Sequence, residues 1–305
     1  MEAESPSAFG TACGAAAALR QGAPRGQAAE ALYRLRRNRG ALVAVGVLAL
    51  LVLAALLAPL ITRYDPIEPA PQAALQGPSA AHWMGTDALG RDIFTRLVYG
   101  TRVSLLEGAI AVLVAGSIGI ALGLLAAYYG GWVDMILMRF VDVLMAFPSI
   151  LLALVVLAVL GPNLVNAMLA VGIAWVPNYA RLTYGSVLSV KQNAYVEAAR
   201  VVGAPDRRIM ALYILPNVAA PLVVLASLCM AFAILAAASL SFLGLGAQPP
   251  TPEWGAMAAD GRSYLRRAWW VSTFPGLAVM VTVLAINLVG DGLRDALDPR
   301  LKERG

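Results

Sequence analysis

Charged residues are scarce in this chain. Asp, Glu, Lys and Arg together make up 13% of its 305 residues, against 60% apolar and aromatic. Soluble domains carry about a quarter charged residues, so there is too little polar surface here to cover a water-soluble protein of this size. The chain belongs in a bilayer. Lysine is rarer still, with Lys191 and Lys302 alone, and neither follows a glycine-rich loop. The absence of a G-x-x-x-x-G-K-[ST] loop excludes ATP hydrolysis by that route. The single histidine, His82, has no companion at metal-ligand spacing, and no serine sits in a G-x-S-x-G elbow. Catalysis, a cofactor and a metal therefore have no obvious residues to hold them, and an intramembrane enzyme would lack its nucleophile. Cys13 and Cys229 fall in a polar tail and an apolar run, which argues against a disulfide framework.

The net charge of +5 does not point to nucleic acid, because of where the charges sit. Arg34, Arg36, Arg37 and Arg39 immediately precede the first apolar run, with Tyr33 the one aromatic residue among them. That pattern is a cytoplasmic anchor facing anionic lipid. The first 30 residues are rich in Ala, Gly and Ser, without periodicity, and are expected to be a disordered tail.

Charge-free runs predict the spans. Gly40–Thr62 and Gly108–Val133 are each long enough to cross the hydrocarbon core. The stretch between Asp142 and Arg181 is too long for one span, and Gly161-Pro162-Asn163 divides it into two antiparallel helices. Ile209–Pro252 holds a fifth span with a Pro-rich loop, and Ala268–Gly290 a sixth. The runs are continuously apolar, not alternating, which disfavours a barrel. With the N-terminus inside, sixteen Lys and Arg face the cytoplasm and seven face outward, so both termini are expected to be cytoplasmic. The expectation is an all-α integral membrane protein of six transmembrane helices. A cytoplasmic tail spans 1–39 and the transmembrane domain 40–305, with an external loop at 63–101, a cytoplasmic loop at 187–216 and an external loop at 245–270.

An ion-coupled secondary transporter would place ionisable side chains near mid-membrane, and none falls centrally in these runs; no internal repeat is evident either. Ala115, Gly119 and Gly123 recur every four residues, as do Ala233, Ala237 and Ser241. Such small residues allow close helix contact, either within the chain or at a subunit or sliding interface. Pro177 should kink or end its helix.

The polar stretch Tyr195-Val196-Glu197-Ala198-Ala199-Arg200-Val201-Val202-Gly203-Ala204-Pro205-Asp206-Arg207-Arg208 reads as two short helices with a break. Glu197 and Arg200 are three apart and suit opposite ends of the first helix dipole. Gly203 is placed to stop that helix in a left-handed conformation, and Pro205 and Asp206 suit the first turn of the next. Pro216 fits the start of the fifth span. A structured hairpin in a polar loop suggests a docking element for a partner.

Glu197-Ala198-Ala199, Gly203 and Leu215-Pro216 resemble the EAA loop of bacterial ABC-importer permeases in residues and spacing. His82-Trp83-Met84-Gly85-Thr86-Asp87-Ala88-Leu89-Gly90-Arg91-Asp92 is similar to the extracytoplasmic signature of the dipeptide and oligopeptide importers, C-type permease. Ser239–Gly246, Pro249–Gly255 and Asp291–Arg300 resemble it too, so the likeness covers roughly residues 33–302. One departure is Tyr213, where these permeases often have histidine.

The resemblance implies a type I ABC-importer permease that carries di- or oligopeptides, or nickel, glutathione or another small solute. It implies a second, B-type permease, two ATPase subunits that hold the ATP and Mg, an extracytoplasmic binding protein, and no nucleic acid. Glu197, Ala198, Ala199, Gly203, Ala204, Asp206, Leu215 and Pro216 would couple to the ATPases. Thr86, Asp87, Arg91 and Asp92 would either dock the binding protein or cap helices and pair charges within the loop. Asp134, Arg139 and Asp142 would form a salt-bridged anchor or line the translocation path.

Overall fold

A computed structural model describes residues 38–297. The expected tail with Cys13, Arg34, Arg36 and Arg37, the final Asp298-Pro299-Arg300 and Lys302 lie outside the described residues. Helix α1 (Arg39–Leu56) begins at Asn38, whose side chain accepts from the Ala41 N–H at 3.2 Å. It buries only Ala41, Ala44 and Ala55, while Leu42, Val43, Leu50, Leu53 and Leu56 are exposed. That outward apolar surface suits lipid, since a soluble helix would turn it inward. After the short α2 (Ala58–Ile61), a long loop leads to α3 (Ile93–Tyr129), a helix of 37 residues. The segment 93–101, assigned by its charges to the external loop, is the first part of that helix.

Helix α4 (Gly131–Met145) and α5 (Ser149–Leu160) meet at a bend of 96°. Pro148 causes it, because proline cannot donate a helical N–H and pushes the residue before it, Phe147, out of the helical region. Helix α6 (Leu164–Lys191) follows the turn at Gly161-Pro162-Asn163, with the Asn163 side chain accepting from Val165. Pro177 lies inside α6, which runs on through it and does not end there.

The six-span expectation does not hold. Among the described residues, four helices are long and apolar enough to cross a membrane: α1, α3, the continuous helix from Asp206 to Phe242, and the last helix. The bent α4–α5 pair makes a fifth if it counts as one span. What read as a third span is divided by Pro148. What read as a fourth is a 28-residue helix too polar to qualify, since Asn178, Arg181, Ser186 and Ser189 dilute it. The sixteen-to-seven division of Lys and Arg was drawn on the six-span layout and goes with it: four spans leave the two ends on one side, five put them on opposite sides.

Helices α3 and α6 form the most extensive contact in the molecule. A methyl group on Gly119 would come within 2.4 Å of Tyr179 Cβ, and one on Gly123 within 2.4 Å of the Ala180 carbonyl oxygen. The small-residue stripe is therefore an intrachain packing surface. The Ala233, Ala237 and Ser241 stripe is likewise buried within the chain, with Ala233 in the same core cluster as Ala111 and Ala170.

After α6 come α7 (Ala194–Val201), α8 (Asp206–Arg208), a wide turn at Ile209–Ile214 and α9 (Leu215–Phe242). Helix α10 (Trp254–Gly261) and α11 (Trp270–Leu297) complete the chain. Trp254 is fully buried beside Ile93, Met257 and Val271, which seats α10 under the 63–92 loop.

Candidate functional site

The segment 187–216 is anchored on one side and bare on the other. Helix α7 ends in a paired closure: the Gly203 N–H donates to Arg200 O and the Ala204 N–H to Ala199 O, both at 3.0 Å. This is the Schellman arrangement, and it needs a left-handed residue at Gly203, whose φ is +82°. Ala199 and Ala204, the two residues joined across it, pack on the core formed by Val196, Ile209 and Ile214. Leu215 joins them there. Glu197, Ala198, Gly203, Asp206 and Pro216 face outward. Between them stand Val201 and Val202, 82% and 87% exposed, two apolar side chains that sequence reasoning passed over.

Beyond the glycine the expected second short helix is not separate. From Asp206 the chain continues into α9 as one span-length helix, so that span begins well before Pro216. Pro216 lies in the first turn of α9, where the wide turn ahead of it closes with Leu215 N–H to Met210 O. Widening relieves the clash between the proline ring and the preceding turn.

A tyrosine ties this segment to α3. The Tyr128 hydroxyl donates to Asp206 Oδ1 at 2.6 Å, and the Arg200 and Lys191 cations lie 5.8 and 5.9 Å from its ring centre. Arg200 thus turns to Tyr128 and does not pair with Glu197. Lys191 also caps α3, donating to the carbonyls of Ala127 and Tyr128 at 3.1 and 2.8 Å. No sequence spacing signals a bond between residues 78 positions apart.

In the 63–92 loop, Thr86, Asp87, Arg91 and Asp92 are 0–6% exposed and bond to one another and to nearby backbone. Asp87 accepts from Arg91 Nε at 2.7 Å and from the Leu89 and Arg91 N–H groups. Asp92 caps α3 through Thr95 and holds His82 Nδ1 at 2.9 Å. Thr86 bridges Gln76 and Ala73. The four form the loop's interior, and its outer surface carries exposed Trp83 and Leu89 instead.

Asp134 accepts from the Tyr184 hydroxyl at 2.8 Å, and Asp142 pairs with Arg181, so both join α4 to α6. Arg139 takes no part. Glu107 lies well inside α3, 1% exposed, with no partner for either carboxylate oxygen among the described residues. Glu107 immediately precedes the charge-free run Gly108–Val133 read as the second span, and the helix extends well beyond it on the N-terminal side. Glu253 is also fully buried, but both of its oxygens accept N–H bonds at the start of α10, from Gly255 at 2.7 Å and Ala256 at 2.8 Å. Among the described residues no cluster of His, Cys, Asp and Glu could hold a metal ion.

Residues 119–303 match the family described as binding-protein-dependent transport system inner membrane component, and residues 26–78 the N-terminal TM domain of oligopeptide transport permease C. The chain is 49% identical to the dipeptide transport system permease protein DppC of Alkalihalophilus pseudofirmus, over 90% of each. The chain belongs to this family. As a C-type permease of the ABC importers, it is a multi-pass membrane protein and a non-catalytic component of a binding-protein-dependent system. The permease is also 55% identical to the glutathione transport system permease protein GsiD of Pectobacterium atrosepticum, over 74% of this chain and 75% of that one. In structure it matches a chain of the MetNI methionine ABC transporter in an inward-facing conformation, with a TM-score of 0.55 at 19% identity. The match covers 68% of the permease and 98% of that chain, and it shows the type I importer fold.

Proposed function

We propose that this permease forms one half of a peptide-translocating pore, paired with a B-type permease, driven by two ATPase subunits and fed by an extracytoplasmic binding protein. Di- and oligopeptides are the cargo that the dipeptide permease likeness supports; glutathione, itself a tripeptide, is the second reading, supported by the 55% identity to a glutathione permease. The observation that carries the coupling role is the 194–208 segment, packed on its inner side through Val196, Ala199 and Ala204 and presenting Glu197, Val201 and Val202 outward. An element anchored on one side, with an exposed apolar pair and a carboxylate at a helix start, is fitted to a groove on a partner. The external loop, with Asp87, Arg91 and Asp92 as its internal frame, would offer its outer surface to the binding protein. ATP can move such a machine only by favouring one conformation over another.

The test is reconstitution. The purified permease alone should hydrolyse no ATP, and the full complex should hydrolyse ATP and import peptide in response to loaded binding protein. Glu197→Lys reverses the favourable sign at the start of α7. It should leave membrane abundance unchanged while cutting ATPase capture or uptake at least tenfold. Normal uptake by that variant would remove the coupling role from this segment.

A further inference from the structure

Helix α6 has two unlike faces. Tyr179, Ala180, Thr183 and Val187 are buried, with Tyr179, Ala180 and Thr183 against α3. The other face carries Asn178, Arg181, Ser186 and Ser189, spaced so that they share one side of the helix. Apart from the Arg181–Asp142 pair with α4, that face is only partly covered. It opens onto a cleft of about 660 Å³, walled opposite by Met145 at the end of α4 and Asn217 at the start of α9.

Two amides, two hydroxyls and a guanidinium converging on one open cleft would be costly against hydrocarbon. Polar side chains of membrane proteins instead line water-filled paths. Beside the cleft, Arg181 is paired with Asp142 across α4 and α6, with side chains 45% and 43% exposed. An ion pair that half-exposed is weak, and its members exchange partners readily. Its two charges are also those that complement a zwitterion. The amides and hydroxyls both donate and accept, as a peptide backbone requires.

We propose that this cleft is a transient binding site for the transported peptide. Arg181 takes the substrate carboxylate, Asp142 takes its ammonium group, and Asn178, Ser186, Ser189 and Asn217 hydrogen-bond the peptide groups between them. The proposal rests on the peptide-import reading and names the part of the pore that touches cargo. It also explains why α6, long enough to span, falls short in hydropathy.

The experiment uses the complete transport complex with Cys13→Ser and Cys229→Ala as background. Dialanine, trialanine and glutathione are first tested separately for ATP-dependent uptake. Ser189→Cys is then labelled with a water-soluble methanethiosulfonate, with and without the imported peptide. Labelling should be rapid, and peptide should slow it at least threefold. Tyr195→Cys on the coupling segment should label at a rate indifferent to peptide. Arg181→Gln should abolish the protection and cut uptake at least tenfold, while ATP hydrolysis stimulated by loaded binding protein persists and shows the complex intact. An unlabelled Ser189→Cys, equal labelling with and without peptide in a transporting complex, or full protection surviving Arg181→Gln each overturns the site alone. Failure to import any of the three peptides overturns the import reading, and this site with it.

Discussion

Gly203 shows how much a single residue can decide. A methyl group there would touch nothing within 4 Å, so space is not what selects glycine. The selection comes from φ of +82°, a region that β-branched residues essentially do not enter. Gly203→Val should cost about 1–3 kcal/mol of local strain, enough to unwind the Ala199–Ala204 closure but too little to expel the spans. Membrane abundance should stay at wild-type level while peptide uptake falls severalfold. Gly203→Asn, which tolerates the left-handed region, should keep most of the uptake. If valine transports as well as asparagine, the closure is not a mechanical element. This glycine was legible in the sequence because the motif around it is local. Tyr128 was not, since its role depends on Asp206, Arg200 and Lys191 arriving from three other places in the chain.

Among the elements, α10 depends on a buried carboxylate. Burial raises the Glu253 pKa above its ordinary value, while the Gly255 and Ala256 N–H groups pull it the other way. A carboxyl whose pKa is higher folded than unfolded holds its proton better in the folded state. Its contribution to stability is therefore complete at acid pH and declines as pH rises from the ordinary glutamate range through the raised value. Melting temperature in detergent should fall over that window for the wild type, and the slope should flatten in Glu253→Gln, whose amide oxygen still accepts an N–H bond. Glu253→Ala removes the cap and should destabilise by about 1 kcal/mol. An identical pH slope in wild type and Glu253→Gln would assign the titration elsewhere. The sequence marked 245–270 as an external loop and gave no sign that a carboxylate there starts a buried helix.

In the whole molecule, the α3–α6 contact sets the frame from which the 63–92 loop and the 194–208 segment are held. The 63–92 loop is capped onto α3 by Asp92, and the 194–208 segment is bonded to the other end of α3 by Tyr128. Gly123→Leu would drive a side chain into the Ala180 carbonyl and Thr183, already 2.4 and 2.7 Å from a mere methyl group. Overpacking of this kind costs about 1–3 kcal/mol and shifts backbone. The variant should lose abundance and thermal stability, whereas Gly185→Leu, where a methyl group meets nothing within 4 Å, should keep both. Equal behaviour of the two variants would show that α3 and α6 do not rely on close approach.

The order of residues is enough wherever the chemistry is short-range. Scarcity of charge put the chain in a membrane, the spacing around Glu197, Gly203 and Pro216 pointed to the importer permeases, and Gly161-Pro162-Asn163 placed a turn. Which apolar runs are span-length helices depends instead on the folded chain. A charge-free run does not reveal the 96° bend at Pro148, nor that α6 turns a polar face to an open cleft. The folded chain likewise decides that Thr86, Asp87, Arg91 and Asp92 lie inside their loop and that Asp142 meets Arg181. Helix propensity and turn chemistry act over a few residues, whereas burial and pairing depend on which distant segments the packing of α3 against α6 brings together.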